Sequence, residues 1–298
     1  MHHDHRTVQS GRFSPLRYPG GKGKMVSFVR QVVRENGLSD GLYVEPYAGG
    51  AAVAMELLLT EEVSRIAIND ISPHIFCFWS SVLDRTEELC RMIVETPLSV
   101  PEWDRQKLIL QGKDISDPLA LGFATFYLNR TNRSGILNGG IIGGRAQAGE
   151  WTIGARYNAK ELAARVASIA NLRSRISLSN LDAIEFIKSG AKSWGDRTLV
   201  YLDPPYYVKG KGLYHHYYRH DDHVEVCQSL AALVRQKWIV SYDDAPEIAA
   251  IYSGTRWMRY AIGYSAREHT SGQELMFFGP SLAVPAAVGT MRLIEQGA

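Results

Sequence analysis

The tetrapeptide Asp203-Pro204-Pro205-Tyr206 follows an apolar run from Thr198 to Leu202, and its residue types answer one problem in amine chemistry. An exocyclic amine on a nucleobase is a poor nucleophile because its lone pair is delocalised into the ring, so a site must draw the nitrogen toward tetrahedral geometry. Two fixed acceptors can do this. The Asp203 carboxylate and the Pro204 carbonyl can each accept one N–H, leaving the lone pair aimed at an electrophilic methyl group, while Pro204 and Pro205 stiffen the backbone. Tyr206 offers a flat face on which a base turned out of its stack can rest. Taken alone, the four residues fit a proline-rich turn capping a strand equally well, although that reading leaves the acid and the aromatic unexplained.

Other segments carry related chemistry. Glu45-Pro46-Tyr47-Ala48-Gly49-Gly50 follows the run Leu42 to Glu45, where small residues let the backbone approach a ligand at a helix N-terminus. Asp70 ends the next β-like run, Arg65 to Ile68, at the distance where carboxylates meet ribose hydroxyls in nucleotide-binding sheets. Arg17-Tyr18-Pro19-Gly20-Gly21-Lys22-Gly23-Lys24 reads as an ordinary loop or as a ligand loop in which Lys22 neutralises a carboxylate. Lys209, Lys211, Tyr214, His215, His216, Tyr217 and Tyr218 interleave basic and aromatic residues, which suits phosphate contact and stacking, or else an exposed loop leading into a helix. Ser241-Tyr242-Asp243 is expected to shape the pocket rim. Asp221, Asp222 and His223 are no metal cluster, since neighbours on a helix point to different faces. His2, His3 and His5 lie on an unanchored terminus and receive no role.

The elements that position these residues alternate. Strand patterns at 42–45, 65–68, 176–178, 198–202 and 238–241 are interspersed with helical ones at 51–59, from Ser72-Pro73, at 182–188 and at 218–236; Ser72 is the expected cap of the second helix. Arg256 to Ile262 and Glu274 to Phe278 are expected to form an antiparallel edge pair. This order predicts an α/β fold with a mainly parallel sheet covered on both faces, its ligand at the carboxyl ends of the strands. Pro101 to Leu172 interrupts it with helical stretches around a glycine-rich centre, Gly135 to Gly154. The expected organisation is therefore a discontinuous catalytic domain, 10–100 and 173–298, with an inserted domain at 101–172.

Composition agrees with one sizeable core. The 298 residues are 45 % apolar and 21 % charged, which excludes a disordered chain, and the net charge of +2 excludes a uniformly basic nucleic-acid coat. The charge is unevenly spread. Residues 105–175 hold 11 basic and 4 acidic side chains, a local +7, leaving −5 elsewhere. A basic insertion on a slightly acidic body suits phosphate binding, with a solvated basic face as the plain alternative. Three cysteines, Cys77, Cys90 and Cys227, with no Cys-x-x-Cys pair, fit a reducing cytoplasmic setting. The longest apolar stretch, Leu119 to Leu128, is about half the ~20 residues a membrane span needs.

In this combination and order, from Ser14 to Phe278, the motifs resemble the Dam-like (D12 class) adenine-N6 DNA methyltransferase family. The resemblance implies a Rossmann-like sheet with an inserted, mainly helical recognition domain, S-adenosyl-L-methionine as cofactor, S-adenosyl-L-homocysteine as product, and no metal. It assigns catalysis to Asp203, Pro204, Pro205 and Tyr206. Cofactor contacts fall on Tyr18, Gly20, Gly21, Lys22, Glu45, Pro46, Tyr47, Gly49, Gly50, Asp70 and Asp203; Asp182 stands where relatives touch the cofactor adenine, or is a helix cap. DNA contacts fall on Asn129, Arg130, Thr131, Asn132, Arg133, Arg145, Lys209 and Lys211. Members that methylate GATC have an aromatic and an Asn where this chain has Arg133 and Ser134, so GATC is not assumed. Ala51 replaces the last glycine of the cofactor loop and is expected to need only an ordinary backbone angle. The implied partner is duplex DNA, with no membrane, in a bacterial or phage-encoded cytoplasmic enzyme; a cognate restriction endonuclease and the oligomeric state stay open. The alternatives are adenine in RNA, cytosine N4, a protein glutamine amide, or a silent cofactor-bound DNA reader. Asp203 favours adenine, and the intact acid argues against a silent reader.

Overall fold

The computed structural model describes residues 13–17, 22–112, 116–208, 218–262, 273–286 and 291–297. Tyr18, Gly20, Gly21, Lys209, Lys211, the tract 214–217 and the N-terminal histidines lie outside the described residues. The elements run α1 (Val26–Glu35), β1 (Leu42–Glu45), α2 (Ala52–Leu59), β2 (Arg65–Asn69), α3 (Pro73–Asp84), α4 (Thr86–Glu95), α5 (Val100–Gln111), α6 (Pro118–Thr131) and α7 (Ala159–Ala170). The second half continues with β3 (Ile176–Ser179), α8 (Ala183–Gly190), β4 (Thr198–Leu202), α9 (His220–Ser229), β5 (Lys237–Asp243), α10 (Pro246–Ile251), β6 (Trp257–Ile262), β7 (Gln273–Phe278) and β8 (Met291–Gly297).

The strands form one sheet in the order β3-β2-β1-β4-β5-β7-β6-β8. The first five are parallel, and β7 runs antiparallel to both of its neighbours. This is a Rossmann-like α/β sheet. Its strands alternate between two cores: Tyr43, Leu199, Tyr201 and Ile239 face the cluster of α1, α2 and α3, while Val44, Val200, Leu202 and Val240 face that of α8, α9 and α10. The chain moves outward from β1 to β3 and then returns to β4 beside β1. That reversal opens a crevice at the carboxyl ends of the adjacent strands β1 and β4, which end in Glu45 and just before Asp203.

Three expectations about elements change. The β6–β7 pair is antiparallel but not an edge, since β7 lies between β5 and β6 and β8 takes the edge. Only Met291 of β8 is buried, so the strand carried no alternating pattern to recognise. The helix expected over 218–236 ends at Ser229 and a short 3-10 turn, and the Gln236 side chain instead donates to the carbonyls of Trp194 (2.6 Å) and Ala191 (3.2 Å). The Ser72 side chain makes no capping bond; Asp70 Oδ1 accepts the Ser72 N–H at 2.9 Å.

The segment 101–172 is built onto the first core. Helix α6 is buried along most of its length, and Phe126 stacks on Phe78 of α3 at 6.0 Å and 9°. Burying each such ring stabilises by about 2–3 kcal/mol. No helix among the described residues is long and apolar enough to cross a membrane. The α3–α6 crossing is close at Gly122, where an added Cβ would lie 2.5 Å from both the Cys77 carbonyl oxygen and Ser81 Oγ. Gly122→Val is therefore expected to cost about 2 kcal/mol or more, read by calorimetry as a melting point several degrees lower.

Candidate active site

Asp203 leaves β4 at the carboxyl edge of the sheet, and its side chain keeps 26 % of its surface exposed. Ser241 on β5 donates to Asp203 Oδ1 at 2.9 Å, and the Tyr201 hydroxyl meets Ser241 Oγ at 3.0 Å. The Lys22 ammonium, in a 3-10 turn that precedes α1, lies 3.3 Å from the same Oδ1. It also donates to the Tyr206 hydroxyl (2.5 Å) and to Glu274 Oε2 (2.8 Å). Glu274 accepts two further bonds, from Tyr206 at 2.9 Å and Tyr260 at 2.7 Å. Behind the loop, Asp243 accepts the backbone N–H groups of Tyr207 (2.8 Å) and Val208 (2.9 Å). Ser241 thus holds the Asp203 carboxylate and Asp243 the backbone after Tyr206.

Glu274 was absent from the residues expected from sequence. Its one signal is an acid directly ahead of the apolar run Leu275 to Phe278, at a position that proves buried. Burial pushes the Asp203 carboxyl up; Lys22 opposes this and the Glu274 charge reinforces it. Burial would raise Glu274 as well, but the Lys22 charge and the bonds from Lys22, Tyr260 and Tyr206 hold it below the usual range. The Lys22 ammonium, disfavoured by burial, is kept charged by Asp203 and the surrounding tyrosines.

The loops after β1, β2 and β3 form a second half-site. Asn69, buried, donates to the carbonyls of Pro46 and Leu181, both at 3.0 Å, and accepts the Leu181 N–H at 2.9 Å. Asn180 donates to the Asp70 carbonyl at 2.7 Å. Asp70 Oδ2 accepts the Gly49 N–H at 2.9 Å, and Trp79 donates to the Gly49 carbonyl at 2.9 Å. Asp182 caps α8 through Oδ1, accepting Ile184 N–H at 2.9 Å and Glu185 N–H at 3.3 Å, so its role as a helix cap is realised. Ile71 and Leu181, next in sequence to Asp70 and Asp182, expose 47 % and 37 % of their surface. Tyr47 meets Tyr218 edge-on, hydroxyl to hydroxyl at 3.3 Å. Glu45 accepts from the Tyr43 hydroxyl (3.0 Å) and Ala54 N–H (3.2 Å), and burial pushes its carboxyl up to about 8. Carboxylates, close-approach backbone and exposed apolar side chains at the ends of three parallel strands fit a nucleoside. One expectation fails: Ala51 has φ 45° and ψ 38°, the left-handed region that favours glycine.

In the insertion the expected DNA residues divide. Asn129, Thr131 and Asn132 are buried and their side chains are spent on the fold. Asn129 accepts the Arg17 N–H (2.7 Å) and donates to the carbonyls of Arg17 (2.5 Å) and Gly135 (2.9 Å). Asn132 accepts from the Trp103 indole (2.7 Å) and donates to two carbonyls, and Thr131 bonds back to the Tyr127 carbonyl (2.7 Å). Gly135 has φ 76°, and an added Cβ would stand 2.6 Å from the Arg17 carbonyl oxygen, so only glycine lets this loop close on the N-terminal segment. Arg145 is exposed but paired with Asp104, both bonds 2.8 Å, and Arg105, Arg165, Arg173 and Arg175 pair with Glu102, Glu161, Asp84 and Glu61. Much of the local +7 is therefore answered within the chain. Arg17, Arg130 and Arg156 instead converge on a cleft of about 470 Å³ with Glu161 at its margin. Arg130 Nε has no hydrogen-bond partner among the described residues, and burial with the nearby charges of Arg165 and Arg17 pushes its guanidinium down to about 10. Converging like charges with an unsatisfied donor call for an anion.

Comparison with known proteins adds independent findings. A family model described as D12 class N6 adenine-specific DNA methyltransferase matches residues 18–262. Among solved structures, the chain is similar to a protein from Legionella pneumophila (7 % identity, 87 % of this chain and 86 % of that one, TM-score 0.36). It is also similar to the rRNA methyltransferase aviRa from Streptomyces viridochromogenes (11 % identity, 84 % and 82 %, TM-score 0.32). No curated protein matches.

Two stability measurements check the cofactor side. Ala51→Gly removes the left-handed strain and should stabilise by about 0.5–1 kcal/mol in urea titration. Between pH 4.5 and about 8 the folded chain keeps a proton on Glu45 that the unfolded chain releases, so stability falls as pH rises through that window. Glu45→Gln should flatten this decline when urea midpoints are compared at pH 5, 7 and 9.

Proposed function

The chain belongs to the D12 class N6 adenine-specific DNA methyltransferase family, and from that premise we propose that it transfers a methyl group from S-adenosylmethionine to the N6 amine of an adenine extruded from duplex DNA. The observation that carries this reading is the convergence of Asp203, Tyr206 and Lys22 at the crevice between β1 and β4, beside the loops tied together by Asn69. In this reading Ile71, Leu181, Asp70 and the backbone at Gly49 and Gly50 would hold the cofactor nucleoside. When bound there, S-adenosylmethionine supplies an electrophilic methyl group on a positively charged sulfur.

The chain's own residues do the rest. Ser241 and Lys22 both address Asp203 Oδ1, leaving Oδ2 to accept one amine N–H while the Pro204 carbonyl accepts the other. The amine is thereby held with its lone pair toward the methyl group. The Tyr206 hydroxyl is held by Lys22 and Glu274, which fixes its ring for stacking on the extruded base. Asp203, its carboxyl pushed up by burial, takes the proton that the methylated amine sheds. A backbone phosphate enters the cleft of Arg17, Arg130 and Arg156, with exposed Arg133 nearby on the loop that closes over Arg17. A cytoplasmic setting and a cognate restriction endonuclease complete the reading and rest on the family.

Incubating the protein with labelled S-adenosylmethionine and separate pools of duplex DNA, single-stranded DNA, RNA and protein tests this directly. Label should enter adenine of duplex DNA, and Asp203→Ala should lower the rate by about 10³-fold or more while remaining folded. No transfer to DNA would overturn the function, and a rate that survives Asp203→Ala would overturn the mechanism. Affinity for DNA should fall steeply with salt, and Arg130→Gln or Arg156→Gln should each reduce the log–log slope by about 1.

A further inference from the structure

We infer that Glu274 is the second carboxylate of the active site, a positioning residue that draws Lys22 off Asp203 and pins the Tyr206 ring so that Asp203 stays open to the amine. The inference rests on the function proposed above and adds to it a residue from the far side of the sheet.

A buried ammonium beside one carboxylate settles onto it, because their attraction grows as the separation shrinks and water is not there to screen it. Here the ammonium is shared, 2.8 Å from Glu274 and 3.3 Å from Asp203. The shorter contact is to the residue that does not face substrate. Without Glu274, Lys22 would close on Asp203 and compete with the amine for its oxygens. The same carboxylate accepts the Tyr206 hydroxyl through Oε1, while Lys22 and Tyr260 occupy Oε2. All three donors are thus directed at one group, and two of them, Lys22 and Tyr206, belong to the expected site.

The sheet explains how Glu274 arrives. Antiparallel β7 sets Glu274 opposite Asp243 on β5 and opposite Tyr260 on β6. A parallel strand at this place would have needed a crossover before reaching the same edge. Stability alone is a poor reason for the arrangement, since a buried ion pair is commonly no better than well-packed apolar residues of similar volume.

The test is Glu274→Gln, assayed for methyl transfer to duplex DNA beside the wild type. The expected result is a kcat lower by about 30-fold or more, with KM for DNA and cofactor within about threefold. In a double-mutant cycle, adding Tyr206→Phe should cost far less than it does in the wild type, because both act through one bond. A pH profile separates positioning from mere folding. Asp203 is faced by Lys22, Glu274, Tyr43, Tyr201, Tyr206 and Glu45, and removing the Glu274 charge should move the acid limb of kcat to lower pH. Should Glu274→Gln fail to fold, Tyr260→Phe carries the test, with kcat down by about threefold to tenfold at unchanged KM. A folded Glu274→Gln that keeps more than half of the wild-type kcat, loses only KM, or leaves the acid limb in place overturns the role. An unchanged kcat in Tyr260→Phe does so where it is the variant that folds. A wild type that transfers nothing to adenine in DNA overturns the functional reading itself, a distinct result.

Discussion

The buried ammonium of Lys22 is the contact on which the active site turns. It joins a turn ahead of the first helix to Asp203, just after β4, and to Glu274 on β7, 181 and 252 residues further along the chain, and Tyr206 binds it too. Such a charge is tolerated inside a protein only when it is paired and hydrogen-bonded. That requirement forces the turn before α1, the loop after β4 and the reversed strand into one arrangement. The position of Asp203 then follows from Ser241 and Lys22 together, and the position of Tyr206 from Lys22 and Glu274.

A similar economy holds the cofactor side. Asn69 is one side chain with two donors and one acceptor in use, and it binds the loop after β1 to the loop after β3 across the strand between them. Asp70 closes the glycine turn while ending its own strand. The resulting surface combines backbone, acids and two exposed apolar side chains. Ala51 shows the strain in that turn, since the chain accepts a left-handed alanine to bring the start of α2 to the crevice.

The segment 101–172 is tied to the rest of the chain by packing and by hydrogen bonds. Its helices share the core of α3, and Asn129 clasps the backbone of Arg17 from both sides. Arg17 also lines the arginine cleft and precedes Lys22 by five positions in the chain. An anion held by that cleft would therefore touch the same segment that carries the active-site ammonium.

The amino-acid sequence by itself determined the five parallel strands, the helices that follow β1, β2 and β3, the acids at the strand ends, and the Asp-Pro-Pro-Tyr turn, because these follow from local periodicity, proline restriction and turn chemistry. The edge strand β8 escaped because its residues are mostly exposed, and the burial of Asn129, Thr131 and Asn132 escaped because an Asn-Arg-rich stretch looks the same whether its amides face water or clasp backbone. The net positive insertion was likewise countable, but which arginines are answered by acids was not, since Arg173 and Arg175 find theirs, Asp84 and Glu61, on other elements. Only the tertiary structure could bring Glu274 to Lys22 and turn Ala51 left-handed. Pairing across a sheet and the path of a turn depend on partners far apart in the chain, and a linear pattern records neither.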